Sequence, residues 1–237
     1  MSTRREALGL VGKFVLVAGT INLASKSVLF ANQDFRVVAD KKATILQEGK
    51  AKMFCPICGM TLPMFYKTNH AADVDGKTHQ YCSIHCMFEE AMLKNVPISN
   101  PQVVAVDTLL FMPASNAYYV MGSSKPATMA TVSKYAFSTQ QNAQAFAKEF
   151  GGEILSYEAV SQKVTTALAA DIAMIQKRQA KSAKMGEKIY NQMCKNTQQR
   201  FDNPADAKVF LQESEICGKL KGKEFQQVAL FLANKGM

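Results

Sequence analysis

The hydrophobic pattern changes character several times along the chain. An apolar run from Ala7 to Ala24, broken by Lys13, follows Arg4 and Arg5. It is too short and too interrupted for a membrane span and reads as an export signal over residues 1–31. A polar connector runs from about Gln33 to Lys52. From Met53 to about Tyr157, short apolar segments alternate with turn residues. Phe65 to Val74 and Thr78 to Cys82 read as strands joined at Asp75-Gly76, a hairpin signal. Ser83 stands at the N-cap position of a helix extending through about Asn95. Val103 to Leu110 is a β-branched run, read as a strand. Ala117 to Met121 is another, ended by Gly122-Ser123-Ser124, and Tyr135 to Phe137 a further short one. Ser138 or Thr139 then caps a helix with Ala143, Phe146, Ala147 and Phe150 on one face, stopped by Gly151-Gly152.

These blocks form a diverged repeat. Tyr81-Cys82-Ser83 leads into one helix and Ala136-Phe137-Ser138 into the other, each after strand, glycine-containing turn and strand. Beyond Glu158 the period is helical almost without interruption to about Gln192. Two further helix patterns cover Gly186 to Cys194 and Gly222 to Asn234. The expected fold is α+β: duplicated ββα units forming small antiparallel sheets, followed by a helical C-terminal module. The expected organisation is a signal over 1–31, a domain over 53–160, a helical connector over 161–185 and the module over 186–237.

Composition narrows the functional classes. With 237 residues, 48% hydrophobic and 20% charged, the chain is long enough for one or two packed cores. Its formal charge is +9, of which Arg4, Arg5, Lys13 and Lys26 against Glu6 contribute +3 within the first 31 residues. The remaining excess is dispersed, with no basic stripe interleaved with aromatics. That argues against a nucleic-acid partner and leaves an acidic protein partner open. The segment Ser2-Thr3-Arg4-Arg5-Glu6-Ala7-Leu8 resembles a twin-arginine export signal, with Ala7 where a larger apolar residue is usual. An ordinary secretory signal or a retained anchor are the alternatives; membrane contact is expected only if the segment is retained. Cleavage after Ala31 or Ala39 would fit, and no cysteine marks a lipid-attachment site. The expected location is the periplasm.

The strongest chemical signal is sulfur. Four of the six cysteines follow one pattern, Cys55-x2-Cys58, then 23 residues, then Cys82-x3-Cys86. A CxxC turn brings two sulfurs to a point, and i, i+4 positions at a helix start share a face, where thiolates are also stabilised. Four thiolates would suit structural zinc. Two features favour Cu(I). If the segment is extended, Cys58 and Met60 face one way, and a thioether is a soft ligand suited to Cu(I) rather than zinc. Met53, Met64, Met87, Met92, Met121 and Met129 also surround the region, most of them read as core packing. His85, between Cys82 and Cys86, is a candidate imidazole ligand. His70 and His79 flank the hairpin and are read as surface or hydrogen-bonded histidines. In an oxidising compartment Cys55–Cys58 or Cys82–Cys86 could close as disulfides in competition with metal.

The segment Cys55-Pro56-Ile57-Cys58-Gly59-Met60 resembles the opening motif of the NosL family, copper chaperones associated with assembly of nitrous oxide reductase. The likeness continues through Ala117-Tyr118-Tyr119-Val120-Met121-Gly122-Ser123, through Ala136-Phe137-Ser138, and through Ala143, Phe146, Ala147, Phe150, Gly151 and Gly152. It covers about residues 53–160. It implies an exported protein holding Cu(I) through Cys58 and Met60. The family's Met after the Gly-Ser turn falls on Met129, although Ala130 stands where glycine is usual. Tyr81-Cys82-Ser83-x-x-Cys86 departs from the family and looks like the second Cys pair of a TRASH-type metal-binding module. Further on, Met185-Gly186-Glu187-Lys188-Ile189-Tyr190 and Met193-Cys194 look like the opening of a cytochrome c domain, and Phe225 to Asn234 like its closing helix. Thr197 and Gln198 replace the second Cys and the His that haem attachment requires, so the module is read as haem-less. Cys194 and Cys217 are then read as a structural disulfide, worth about 3 kcal/mol on the chain-entropy account.

Three functions follow for comparison. The first is a periplasmic Cu(I) chaperone, not an enzyme, delivering copper to a reductase, nitrous oxide reductase by the resemblance. The second is a structural zinc module held by Cys55, Cys58, Cys82 and Cys86. The third is a thiol–disulfide exchanger at Cys55 and Cys58, which lacks a recognisable thioredoxin-like βαβ setting.

Overall fold

The first hairpin sets the frame. In the computed structural model, which describes residues 34–235, β1 (His70–Val74) and β2 (Lys77–Tyr81) turn at Asp75-Gly76. Both turn residues adopt positive φ, 50° and 75°, the backbone that Asp-Gly tolerates and that matches strand twist. Helix α1 (Ile84–Lys94) follows, and β3 (Ser99–Val104) returns antiparallel to β1, with β4 (Phe111–Pro113) on its outer side. The sheet order is β2-β1-β3-β4. The second block repeats the plan with β5 (Tyr118–Met121), β6 (Lys134–Phe137), α2 (Gln140–Phe150) and β7 (Glu153–Leu155), ordered β6-β5-β7. In both, the strand after the helix pairs with the first strand of the hairpin. The duplicated ββα units are therefore present, each completed by a further strand. The Thr139 side chain caps α2 by accepting from the Asn142 N–H.

Helix α3 (Tyr157–Met193) runs unbroken across the expected limits at 160/161 and 185/186. α4 (Pro204–Ser214) and α5 (Gly222–Asn234) fold back, and α5 packs along α3. Residues from Asp34 onward form one compact unit, so the connector and module are continuous with the domain before them. Cys194 and Cys217 are joined by a disulfide. Among the described residues no helix is long and apolar enough to cross a membrane. The export segment lies outside the described residues.

Several local expectations are corrected. Leu62–Thr68 forms 3₁₀ turns, not the start of a strand. Pro63 lies in their first turn, Phe65 breaks them, and the Thr68 hydroxyl donates to the Phe65 carbonyl. The run Val103–Leu110 is a strand only to Val104. The chain then leaves for the second sheet, Val106 N–H donating to Ala136 O, and Leu109 turns it with φ 59°. Ser83 holds the N-cap position, but its hydroxyl is buried and makes no cap bond. The connector is not a mere linker: Phe35 packs against Tyr135 and Phe146, and Val38 is buried. α4 was not anticipated, although Asn203-Pro204 is a helix-start signal and the Asn203 side chain does accept from Asp206 N–H.

His70 ties the sheets together and should make stability acid-sensitive. It is buried, with Nδ1 3.1 Å from Thr68 O and Nε2 3.1 Å from the Tyr119 hydroxyl. Burial lowers its pKa to about 4, against the opposing effect of the hydrogen bond that the Thr68 carbonyl accepts and with Lys134 adding to the depression. Above pH 6.5 the imidazole is neutral in folded and unfolded chains alike. As pH falls from about 6.5 toward 4, the unfolded chain takes up a proton that the folded chain refuses, and up to about 3 kcal/mol of stability should be lost. Urea midpoints at pH 7 and pH 4.5 should differ clearly in the native protein and much less in His70→Gln. Equal pH dependence in the two would remove His70 from the account.

Candidate metal centre

The Cys55–Met60 loop is a closed knuckle. Phe54 and Thr61 pair at its neck, and Leu62 N–H donates to Met53 O at 2.9 Å. Inside, Cys55 N–H donates to Met60 O at 2.9 Å and Gly59 N–H to Cys55 O at 2.8 Å. Gly59 takes φ 70°, which a side chain would strain, and a Cβ there would also lie 2.7 Å from Cβ of Pro204. The segment is thus a turn and not an extended strand, so strand alternation does not set the directions of Cys58 and Met60.

The second pair enters from the end of β2 and the first turn of α1. Cys58 Sγ lies 3.4 Å from Cys82 Sγ and 3.8 Å from Cys86 Sγ, with Cys82 and Cys86 3.7 Å apart. With Cys55, all four sulfurs lie within 4.8 Å of one another, and all are reduced and buried. A tetrahedron with metal–sulfur bonds of about 2.3 Å has edges of about 3.8 Å. The four sulfurs are therefore spaced to close on one ion.

Their ionisation is shared. Burial opposes charge on Cys55, yet the neighbouring Cys58, Cys82 and Cys86 thiols and the Cys82 backbone hold its pKa well below the ordinary thiol value. The Cys55 thiolate raises Cys58; burial, then Cys55, pushes Cys82 far up; and Cys55, with the other neighbours, pushes Cys86 far up. The neighbouring thiols favour one negative charge in the cluster and oppose further ones. The remaining protons leave when a cation takes their place.

The other expected ligands are distributed unevenly. Met60 and Met129 come together with Cys58 on one open cavity of about 370 Å³, beside Arg36, Arg178 and Gln226. Met129 has φ 65°, and its carbonyl accepts a hydrogen bond from Arg178. His85 does not join the sulfurs. Its Nε2 lies 3.3 Å from Glu89 Oε2, and neither ring nitrogen has a hydrogen-bond partner. His79 pairs with Glu90 at 3.0 Å, away from the cluster. Of the remaining methionines, Met87 is core, while Met64 and Met92 are exposed.

The C-terminal helices supply a roof that sequence reasoning missed. The Gln226 side chain donates to Cys58 O at 2.8 Å, Pro204 abuts Gly59, and Lys208 reaches Thr61. Nothing marked Lys208 in the sequence, where it is one of 28 basic residues.

Fold and centre together define an α+β binding protein with a buried four-sulfur site suited to a soft metal ion. The NosL family model matches residues 47–165, half of the chain, and the chain belongs to the NosL family. It is accordingly a binding protein and not an enzyme. The match takes in both sheets, α1, α2 and the first turns of α3, and ends before the roof. No curated protein matches the chain. Among solved structures, the copper chaperone NosL from Shewanella denitrificans is similar at 18% identity over 48% of this chain and 95% of its own, with a TM-score of 0.38.

Proposed function

We propose that this protein is a periplasmic Cu(I) chaperone that delivers copper to a receiving reductase, which the family resemblance suggests is nitrous oxide reductase. The observation that carries the reading is that Cys58, Met60 and Met129 line one cavity at the edge of the buried sulfur cluster. Cu(I) is stable with few soft ligands. Cys58, giving up its proton as the ion binds, supplies the anionic anchor, while the two thioethers are neutral donors that a partner's sulfur or imidazole can displace before the thiolate releases the ion. The twin-arginine-like segment supports export of a folded protein.

The tetrahedral spacing of the sulfurs supports a second reading, a structural zinc site. Exchange of disulfides has less support, because every sulfur of the cluster is buried. Reduced protein should take Cu(I) from a chelator of known affinity in preference to Zn(II), with X-ray absorption counting sulfur neighbours only. Tight zinc uptake with negligible Cu(I) uptake would overturn the chaperone reading in favour of the zinc module.

A further inference from the structure

Lys208 lies on α4, outside the part of the chain that the family model matches. It is 2% exposed, among the most buried large side chains of the protein. Its Nζ sits 4.9 Å from the Phe54 ring centre and 4.8 Å from that of Phe225, and 3.4 Å from Thr61 Oγ1. Among the described residues no carboxylate lies within ion-pairing distance of it. A buried ammonium held by two aromatic faces and one long hydroxyl contact is poorly compensated. Phe54 and Thr61 are the paired residues at the neck of the knuckle that carries Cys55 and Cys58. The cation therefore stands at the neck of the loop that presents two of the four sulfurs, Cys55 and Cys58.

We propose that Lys208 is the counter-charge of the metal–thiolate centre, a positioning residue contributed by the C-terminal helices that favours the ionised, metal-loaded sulfurs. Several thiolates around one monovalent or divalent cation leave net negative charge in a dry site, and a fixed positive charge behind the loop offsets it without occupying a ligand position. The same geometry explains why the roof reaches this loop: Gln226 holds the Cys58 carbonyl, Pro204 covers Gly59, and Lys208 closes the neck. Burial lowers the Lys208 pKa to about 8, while Cys58, Cys55 and Cys82 act in the opposite direction.

The inference rests on the metal-binding reading, and the test separates the two. Cu(I) and Zn(II) affinities of the full chain are measured by chelator competition for the native protein, Lys208→Met and Lys208→Arg. Lys208→Met keeps the bulk, removes the charge, and should leave the metal-free melting temperature unchanged or raised, because an apolar isostere replaces a buried cation. It should weaken both metals by roughly 10- to 100-fold. Lys208→Arg should restore most of that affinity. Lys208→Gln keeps a polar group toward Thr61 and should lose affinity like Lys208→Met, which covers the case of a poorly folded methionine variant. If the native protein binds neither metal, the functional reading falls and this one with it. If the native protein binds and Lys208→Met binds equally well, or if affinity merely tracks a fall in melting temperature, the counter-charge role alone is overturned.

Discussion

Cys58→Ser should abolish tight Cu(I) binding, lowering affinity by more than about 100-fold, beyond what disturbing an outer-shell partner usually costs. Cys58 is the sulfur shared by both parts of the site. It lies within 3.4–3.8 Å of Cys82 and Cys86 on the buried side and lines the cavity with Met60 and Met129 on the open side. Met60→Leu should cause a smaller loss, because the thioether only supplements the thiolate. The fold should survive it, since this exchange usually costs under about 1.5 kcal/mol. Cys82→Ser and Cys86→Ser separate two geometries. If all four sulfurs share the ion, each should match Cys58→Ser, and zinc should compete well. If copper sits at Cys58, Met60 and Met129, both should retain near-native affinity. Chelator competition on the four variants, with circular dichroism for folding, reads the outcome. A folded Cys58→Ser protein with native affinity would show that the site has been assigned to the wrong sulfurs.

Gly186→Ala should destabilise the C-terminal helices by about 3 kcal/mol or more, at the upper end of overpacking costs. On an isolated helix the same change would stabilise by about 1 kcal/mol. The sign reverses because α3 and α5 cross here in backbone contact. A Cβ at Gly186 would come 1.9 Å from Gln227 O and 2.3 Å from its carbonyl carbon. Those are main-chain atoms, so relief requires α5 to move. The buried cluster of Tyr190, Leu211, Val228 and Leu232 would open, and Gln226, next to Gln227, would leave the Cys58 carbonyl. Urea unfolding should show the lower stability, and limited proteolysis should cut first between α4 and α5. A native-like denaturation curve would mean that the two helices do not cross at this glycine. Reduced metal affinity in the same variant is expected, because the roof and the knuckle share contacts.

What could be read from the chain alone was whatever its chemistry decides over short range. Asp75-Gly76 specified the hairpin, Thr139 and Gly151 bounded α2, and the unbroken apolar period gave α3, because each depends on residues within a few positions. The motif Cys55-x2-Cys58 with Cys82-x3-Cys86 announced a sulfur site for the same reason. Local rules misled where a distant partner intervened. The β-branched run after Val103 stops as a strand because Val106 pairs with Ala136 in the other sheet. The shared cavity of Met60 and Met129 depends on how two blocks far apart in sequence pack, and no periodicity reports that. His85, by contrast, faces Glu89 one turn along the same helix, an i,i+4 pairing that the sequence does carry. Gly186 reads in the sequence as the start of the C-terminal module, and only the crossing of α5 shows why a side chain is excluded there; Lys208 is one of 28 basic residues until α4 buries it beneath the knuckle. Chain chemistry determined that sulfur would be gathered. Tertiary packing alone decided which helices roof it and which charge stands behind it, because those contacts join residues separated by more than a hundred positions.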